Sequence, residues 1–364
     1  MRKLFSLLVL ALVLAGCAPK EKTPEEIYND QASGVVMVLN QYYYSAELPN
    51  GDVIFFSGIK DGELEDVSLN EDSITKSFAF GTAFFVDEQG SLITNRHVVD
   101  PVIAPGEVKE YVRNIIDGLK AMAEYSQSQM IQRYQSLQAQ IEDNTYLGYD
   151  EYYGLYASES EENDELREQQ RLLSQEYDEA QAYIERLSHI DVSEIKIKTY
   201  CEIGIAYHDT YVTSPDDFKP CVVVKTNQNE DVDLAMIRLK DKVTPSGKYI
   251  FSLPKDDSKN FGPTADERGA ITLNQQLVLI GYNHGVQLAS TREGIKAQLT
   301  TGNVSQQPDD DRVMYTIPVL TGSSGSPVVN KWGEVVAVNF AGLNGTQSFN
   351  FGIPLKRIKQ FMDQ

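Results

Sequence analysis

The chain has 364 residues, with 32 Lys and Arg against 53 Asp and Glu, and a net charge of −21. That balance excludes nucleic acid as a partner, because phosphate binding needs a basic patch, and it repels acidic surfaces. Residues 1–16 join a basic start (Arg2, Lys3) to an apolar run from Leu4 to Leu14. The run is short of the roughly 20 residues that span a membrane, so it reads as a secretory signal. Residues 17–32 then read as a polar tether.

Ser33 to Leu39 is the first expected strand. The connection from Tyr42 to Phe80 is long and holds a second strand at Asp52–Phe56 and an acidic loop at Lys60–Asp72. Gly81–Val86 reads as a strand, Glu88-Gln89-Gly90 as a turn, and the next strand ends at His97. Glu107 to Glu142 then has almost no helix breakers, with apolar residues at Val112, Ile115, Ile116, Leu119, Met122, Met130, Tyr134, Leu137 and Ile141. Asn163 to Ser188 repeats the pattern at Leu166, Leu173, Tyr177, Ala180, Ile184 and Leu187. Threes and fours in alternation predict a helical, coiled-coil-like seam, hence a helical hairpin over 101–192. Its tip, Asp143 to Glu162, is acidic and carries Tyr146, Tyr149, Tyr152, Tyr153 and Tyr156. Three readings stay open: the hairpin gates a site, it docks a protein partner or a second copy through 107–188, or it is a solvent-exposed decoration.

Cys201 and Cys221 follow. An exported chain permits a disulfide between adjacent strands, and two buried free thiols are the other reading. No Cys or His spacing suits a metal, and neither metal nor cofactor is expected. Asp231-Val232-Asp233-Leu234-Ala235-Met236-Ile237-Arg238-Leu239 is a largely buried strand with acids at its head. A carboxylate there is costly unless it is hydrogen-bonded, and a histidine N–H would satisfy it. Asp233 is preferred, with Asp231 the competing choice. Of the four histidines, His189 and His208 read as structural, and His284, in Gly281-Tyr282-Asn283-His284-Gly285, as a turn residue.

Gly322-Ser323-Ser324-Gly325-Ser326-Pro327 carries the most chemistry. A serine between small residues projects its hydroxyl, and glycines let amide N–H groups converge on a developing oxyanion. The hydroxyl also needs a general base, and the base an orienting acid. Val328-Val329, a turn at 330–333, a strand at 334–340, a loop at 342–347, the segment 348–355 and a short helix from Lys356 complete the chain.

His97 within Thr94-Asn95-Arg96-His97-Val98-Val99, Asp233 in Asp-Leu-Ala, and Ser324 in Gly-x-Ser-Gly-x-Pro resemble the trypsin-like (chymotrypsin-fold) serine peptidases. The resemblance is closest to the bacterial branch of HtrA/Deg and glutamyl-endopeptidase-like enzymes. It implies a mainly β fold of two six-stranded antiparallel barrels, here a peptidase domain over 33–364 interrupted by the hairpin. It implies a triad of Ser324 as nucleophile, His97 as base and Asp233 as orienting acid, with Gly322 and Ser324 amides as the oxyanion hole. It places Pro318, Val319, Asn339, Phe340 and Ala341 along the primary specificity pocket, the last three pairing their backbone with substrate. Pro318 stands where trypsin has an aspartate, and Asn339 where the glutamate-specific enzymes have a histidine, so an uncharged pocket is expected. Ser326 departs from the glycine of many relatives. No length remains for a C-terminal PDZ domain. Leu14-Ala15-Gly16-Cys17 resembles the bacterial lipoprotein box, which implies lipidation at Cys17 and a membrane-anchored envelope protein. Ala18 after the cysteine points to the outer membrane in a two-membrane cell.

Overall fold

The computed structural model describes residues 20–159, 161–229, 231–255, 263–342 and 349–364. The signal segment, Cys17 and most of the expected 342–347 loop lie outside the described residues. Two compact units are present, one of residues up to 43 with 76–102 and 199–364, the other of 44–75 with 103–198.

The first unit opens with α1 (Pro24–Gln31), inside the stretch expected to be tether. Thr23 and Glu26 form a capping box and Pro24 sits at the first helical position, both strong start signals. The helix buries Ile27 and Gln31, and the Gln31 amide donates to the Gly333 carbonyl at 2.6 Å. This short polar segment is therefore folded onto the core.

The strands follow in order: β1 (Val35–Glu47), β2 (Val53–Phe56), β3 (Gly58–Lys60), β4 (Glu63–Glu65), β5 (Ser77–Phe85) and β6 (Ser91–Thr94). The one-turn helix α2 (Arg96–Val99) comes next, then α3 (Pro105–Asp143), β7 (Thr145–Asp150), β8 (Gly154–Glu159) and α4 (Glu162–Ser188). β9 (Lys196–Tyr207), β10 (Lys219–Thr226), β11 (Ala235–Leu239), α5 (Ala265–Gly269) and β12 (Gln276–Gly281) continue the chain. It ends with α6 (Val286–Ala289), β13 (Ser290–Thr291), β14 (Gly294–Ile295), β15 (Gln298–Asn303), β16 (Val313–Tyr315), β17 (Pro327–Val329), β18 (Val335–Gly342), β19 (Asn350–Pro354) and α7 (Leu355–Asp363).

β1, β5, β6, β11, β10 and β9 pair in that order, and β9 returns to β1, closing a six-stranded antiparallel barrel. β15, β12, β17, β18, β19 and β16 form a second, curled six-stranded sheet, whose edges meet at a bridge between Val304 and Tyr315. Alternate side chains of one strand enter different cores, as the two-residue period requires. Val36, Val38, Phe85 and Leu92 fill the first barrel, and Leu277, Leu279, Val328 and Val336 fill the second. Their neighbours Val35, Met37, Phe84, Ile93, Val278, Ile280 and Val335 share the layer between, with Ile358 and Phe361 of α7. Burial on both faces explains why these strands read as unbroken apolar runs.

The disulfide reading is corrected. Cys201 and Cys221 are free thiols. Pro220 pairs with Gly204, so the register puts Cys221 opposite Ile203, two residues from Cys201. Diagonal neighbours lie about 7–8 Å apart, beyond the usual disulfide Cα span of roughly 4.4–6.8 Å. Burial pushes the Cys221 thiol up to about 12 and raises Cys201 as well.

In the second unit, α3 and α4 are the predicted hairpin, but the seam differs. Val112, Ile116, Leu137, Ile141 and Leu187 are buried as expected, while Ile115 and Met122 are exposed. Glutamines hold the middle: Gln127 donates to Gln181 at 3.0 Å and Gln170 to Gln138 at 3.2 Å. The tip, which composition left without an element, is a two-stranded sheet of β7 and β8. Part of the acidic loop is also a hairpin, β3–β4, turned at Asp61-Gly62, where both φ angles are positive.

Candidate active site

Strand register brings the expected base and acid together. Thr94, the last residue of β6, pairs with Ala235, the first of β11. Antiparallel strands put the residues after Thr94 and those before Ala235 past the same end of the ladder. Asn95 fastens this end by donating its amide to the Asp233 carbonyl at 2.7 Å. α2 then turns His97 back over Asp233, with Val98 and Val99 buried as its anchor. The histidine therefore stands on a helical turn and not at the strand end that the pattern suggested.

The Asp233 carboxylate holds His97 twice. Oδ1 accepts the His97 main-chain N–H at 3.0 Å, and Oδ2 lies 2.5 Å from Nδ1. With Nδ1 carrying the proton, Nε2 keeps its lone pair, which is the tautomer a general base needs. Asp231 makes no such contact; it is exposed, and its N–H donates to the Asn229 side chain.

The serine loop is fixed through its carbonyls. Thr321 O accepts the His284 N–H at 2.6 Å, Gly322 O accepts the Thr82 hydroxyl at 2.8 Å, and Ser323 O accepts the Asn339 amide at 3.0 Å. In a trans peptide the N–H points opposite to the C=O. Anchoring Thr321 O and Ser323 O thus sets the directions of the Gly322 and Ser324 amides. Neither amide donates to a backbone oxygen among the described residues. Gly322 has φ +99° and Gly325 φ +86°, and a Cβ on Gly325 would meet Thr82 O at 2.1 Å. Both glycines are required by backbone shape and close approach.

Thr82 of β5 is the crossing point. Its N–H donates to Ser324 O at 2.8 Å, its carbonyl accepts the Thr94 hydroxyl at 2.8 Å, and its hydroxyl accepts the Tyr282 N–H at 3.0 Å. Ser326 is buried, and its departure from glycine is accommodated by Gly281, where a Cβ would meet Ser326 Oγ at 2.0 Å.

Ser324 is half-buried and shares a cleft of about 720 Å³ with His97, Gly322, Phe78, Phe80 and His284. Pro318, Val319, Asn339, Phe340 and Ala341 do not line this cleft among its described residues. One expectation for them is corrected: the backbone of Asn339 is unavailable to substrate. Its N–H donates to Ser326 O at 3.0 Å and its carbonyl accepts the Gly325 N–H at 2.8 Å. Its buried side chain supports the serine loop, with Oδ1 2.8 Å from the Tyr315 hydroxyl. Burial raises that phenol well above its ordinary value, so it stays a donor. Phe340 is half-buried at a β-bulge, and Ala341 pairs with Phe351. Thr82, Phe78, Phe80 and Gly281 were not singled out from sequence. The only signal for Thr82 was its place two residues before the Phe84-Phe85 strand core.

Residues 194–338 match the sequence-family model "Trypsin-like peptidase domain", a span that holds Asp233 and Ser324. Residues 1–18 match "Prokaryotic membrane lipoprotein lipid attachment site". Comparison with curated proteins gives no match. Among solved structures, "HtrA-type protease AlgW with decapeptide" aligns at 12% identity with a TM-score of 0.43, covering 94% of this chain and 66% of that chain. This chain is therefore similar to trypsin-like peptidase domains over residues 194–338 and to lipoprotein attachment sites over residues 1–18.

Proposed function

We propose that the chain is a serine endopeptidase, held at the cell envelope by lipid on Cys17 and acting on polypeptides. One observation carries the reading: Asp233 bonds His97 Nδ1, beside the cleft where Ser324 stands with the Gly322 and Ser324 amides, which reach no backbone oxygen among the described residues. Ser324 Oγ attacks the scissile carbonyl as His97 Nε2 takes its proton, and Asp233 stabilises the imidazolium. The tetrahedral oxyanion accepts from the Gly322 and Ser324 amides, each worth roughly 3 kcal/mol in the transition state. His97 then gives its proton to the leaving amine, which departs and leaves an acyl-Ser324 ester. Water, deprotonated by the same imidazole, hydrolyses the ester and restores the hydroxyl. Pro318, Val319, Phe340 and Ala341 are assigned to an uncharged acyl-side pocket for small or medium aliphatic residues. Ala18 favours sorting to an outer membrane.

A second reading, a latent domain that binds protein through the hairpin, has its own support. β7 and β8 expose Tyr146, Leu147, Tyr149 and Leu155, and Tyr152 at their turn is 95% exposed. Tyrosine is enriched at protein interfaces. A fluorophosphonate probe on protein starting at Ala18 separates the two. Labelling of wild type, lost in Ser324→Ala and cut by orders of magnitude in His97→Ala, is expected. A folded wild type that resists the probe would leave only the binding reading.

A further inference from the structure

The cleft beside Ser324 holds a second imidazole that the proposed chemistry does not use. His97 and His284 are the only ionisable side chains among its described lining residues. His97 is committed to Asp233. The ring of His284 is exposed to the cleft and has no hydrogen bond among the described residues, while its main-chain N–H is bonded to Thr321 O.

The ring is held there against a conformational cost. His284 has φ +58°, the left-handed region, which strains a residue that has a Cβ. The turn cannot relax easily. Tyr282 N–H is tied to Thr82, Asn283 N–H donates to Gln298 Oε1 at 2.7 Å, and Asn283 Oδ1 accepts the Leu320 N–H at 2.8 Å. Gly285, the next residue, lies against the Phe80 ring, where a Cβ would come within 2.8 Å. The backbone that carries the imidazole is therefore fixed in the cleft wall. Glycine would serve the turn with less strain, so the ring itself calls for an explanation.

The position of the cleft says which part of a peptide meets the ring. It touches both His97 and Ser324 yet includes none of the residues assigned to the acyl-side pocket. It is thus the side onto which the leaving amine departs. Apart from Gln287 and Thr321, its remaining walls are apolar: Phe78, 53% exposed, with Phe80, Ala79 and Val286. In a chain of net charge −21 the general field disfavours an acidic peptide. Gln287 and Thr321 can donate neutral hydrogen bonds, but with His97 committed to Asp233, His284 is the side chain in this wall able to make a charge-assisted bond to a carboxylate.

We infer that His284 is a specificity-determining residue, binding a carboxylate carried by the substrate just after the scissile bond while the phenylalanines take an adjacent apolar side chain. The inference rests on the peptidase reading for its direction along the substrate. The carboxylate has two sources, an Asp or Glu side chain or the C-terminus of a short leaving segment.

The test is a set of quenched peptides with one common acyl half and Glu, Gln or Lys at the first and second positions after the cleaved bond. Each is made with a free or an amidated C-terminus and assayed on wild type and His284→Asn, a residue that tolerates the left-handed turn. Wild type is expected to prefer the carboxylate form about tenfold in kcat/KM over its neutral isostere, with Lys poorest. His284→Asn, which keeps the main-chain N–H on Thr321 O, is expected to bring the ratio to within about twofold. A Glu-over-Gln preference identifies the side chain as the source, and an acid-over-amide preference identifies the terminus. A wild type indifferent to both, or an unchanged ratio in His284→Asn, overturns the inference. Anisotropy of the same peptides on Ser324→Ala reads the subsite without turnover. A His284-dependent preference there sustains the inference even if wild type resists the probe and the peptidase reading falls.

Discussion

His208 shows how one partly buried side chain couples stability to pH. Its Nδ1 accepts the Ala297 N–H at 3.1 Å, and Nε2 lies 3.3 Å from Asp209. The first bond exists only when Nδ1 is unprotonated. Burial lowers the His208 pKa, Asp209 offsets this in part, and Lys296 and Lys248 push it further down. The unfolded chain accepts a proton near pH 6.5 that the folded chain refuses until lower pH, so stability is full above about 6.5 and declines below it. The urea midpoint of wild type is expected to fall between pH 6.5 and 5. His208→Asn, which keeps an acceptor toward Ala297, should flatten that fall, and equal slopes would refute the assignment. At this scale the sequence was legible where a motif names a residue: Asp233 meets His97, and His97 and Ser324 line one cleft. It was not legible where a residue acts through its main chain. Nothing in a sequence says that the His284 N–H sets the Thr321 peptide, or that the Asn339 backbone is already engaged.

Among the elements, α5 and the turn leading into β18 are joined by a buried ion pair. Arg268 Nε lies 3.0 and 2.9 Å from the two Glu334 oxygens, and its outer nitrogens donate to the carbonyls of Pro263 and Lys255. Exposure is 5% for Arg268 and 16% for Glu334. Removing one partner strands the other, at a cost of about 3–5 kcal/mol. Glu334→Ala is expected to lose that much in urea unfolding, and a loss below about 1 kcal/mol would mean that water solvates Arg268. Strands buried on both faces were readable as apolar runs, and the two long helices by their period. The glutamine seam was not, because Gln127 and Gln170 satisfy each helix's partner by hydrogen bonds that no apolar count registers. α1 was hidden by its polar composition, although its capping box stood in the sequence. The tip strands were hidden by acids, although tyrosine favours strands.

For the whole molecule, the family match begins at residue 194, beyond the helical hairpin, and so leaves out His97. The insertion separates the expected base from its acid in sequence, and β6–β11 pairing restores the two to one place. The tip is bonded strand to strand within itself. Replacing residues 146–158 with a Gly/Ser turn is therefore expected to leave probe labelling and small-peptide turnover within about twofold of wild type. A loss beyond tenfold would give the tip a part in the chemistry. A chain of charge −21 tethered by lipid will also sit away from anionic headgroups.

Thr82 spends every polar group it owns on the two halves of the proposed site: its carbonyl on Thr94, three residues before His97, and its N–H and hydroxyl on the serine loop and its neighbouring turn. His97 and Ser324, the proposed base and nucleophile, are therefore tied to one residue through their loops. Any shear between barrel and sheet must first break a cluster of bonds at one residue. On the proposed roles, Thr82 is the hinge pin between attacking oxygen and receiving nitrogen, and wear at that pin would appear as lost synchrony before any loss of fold.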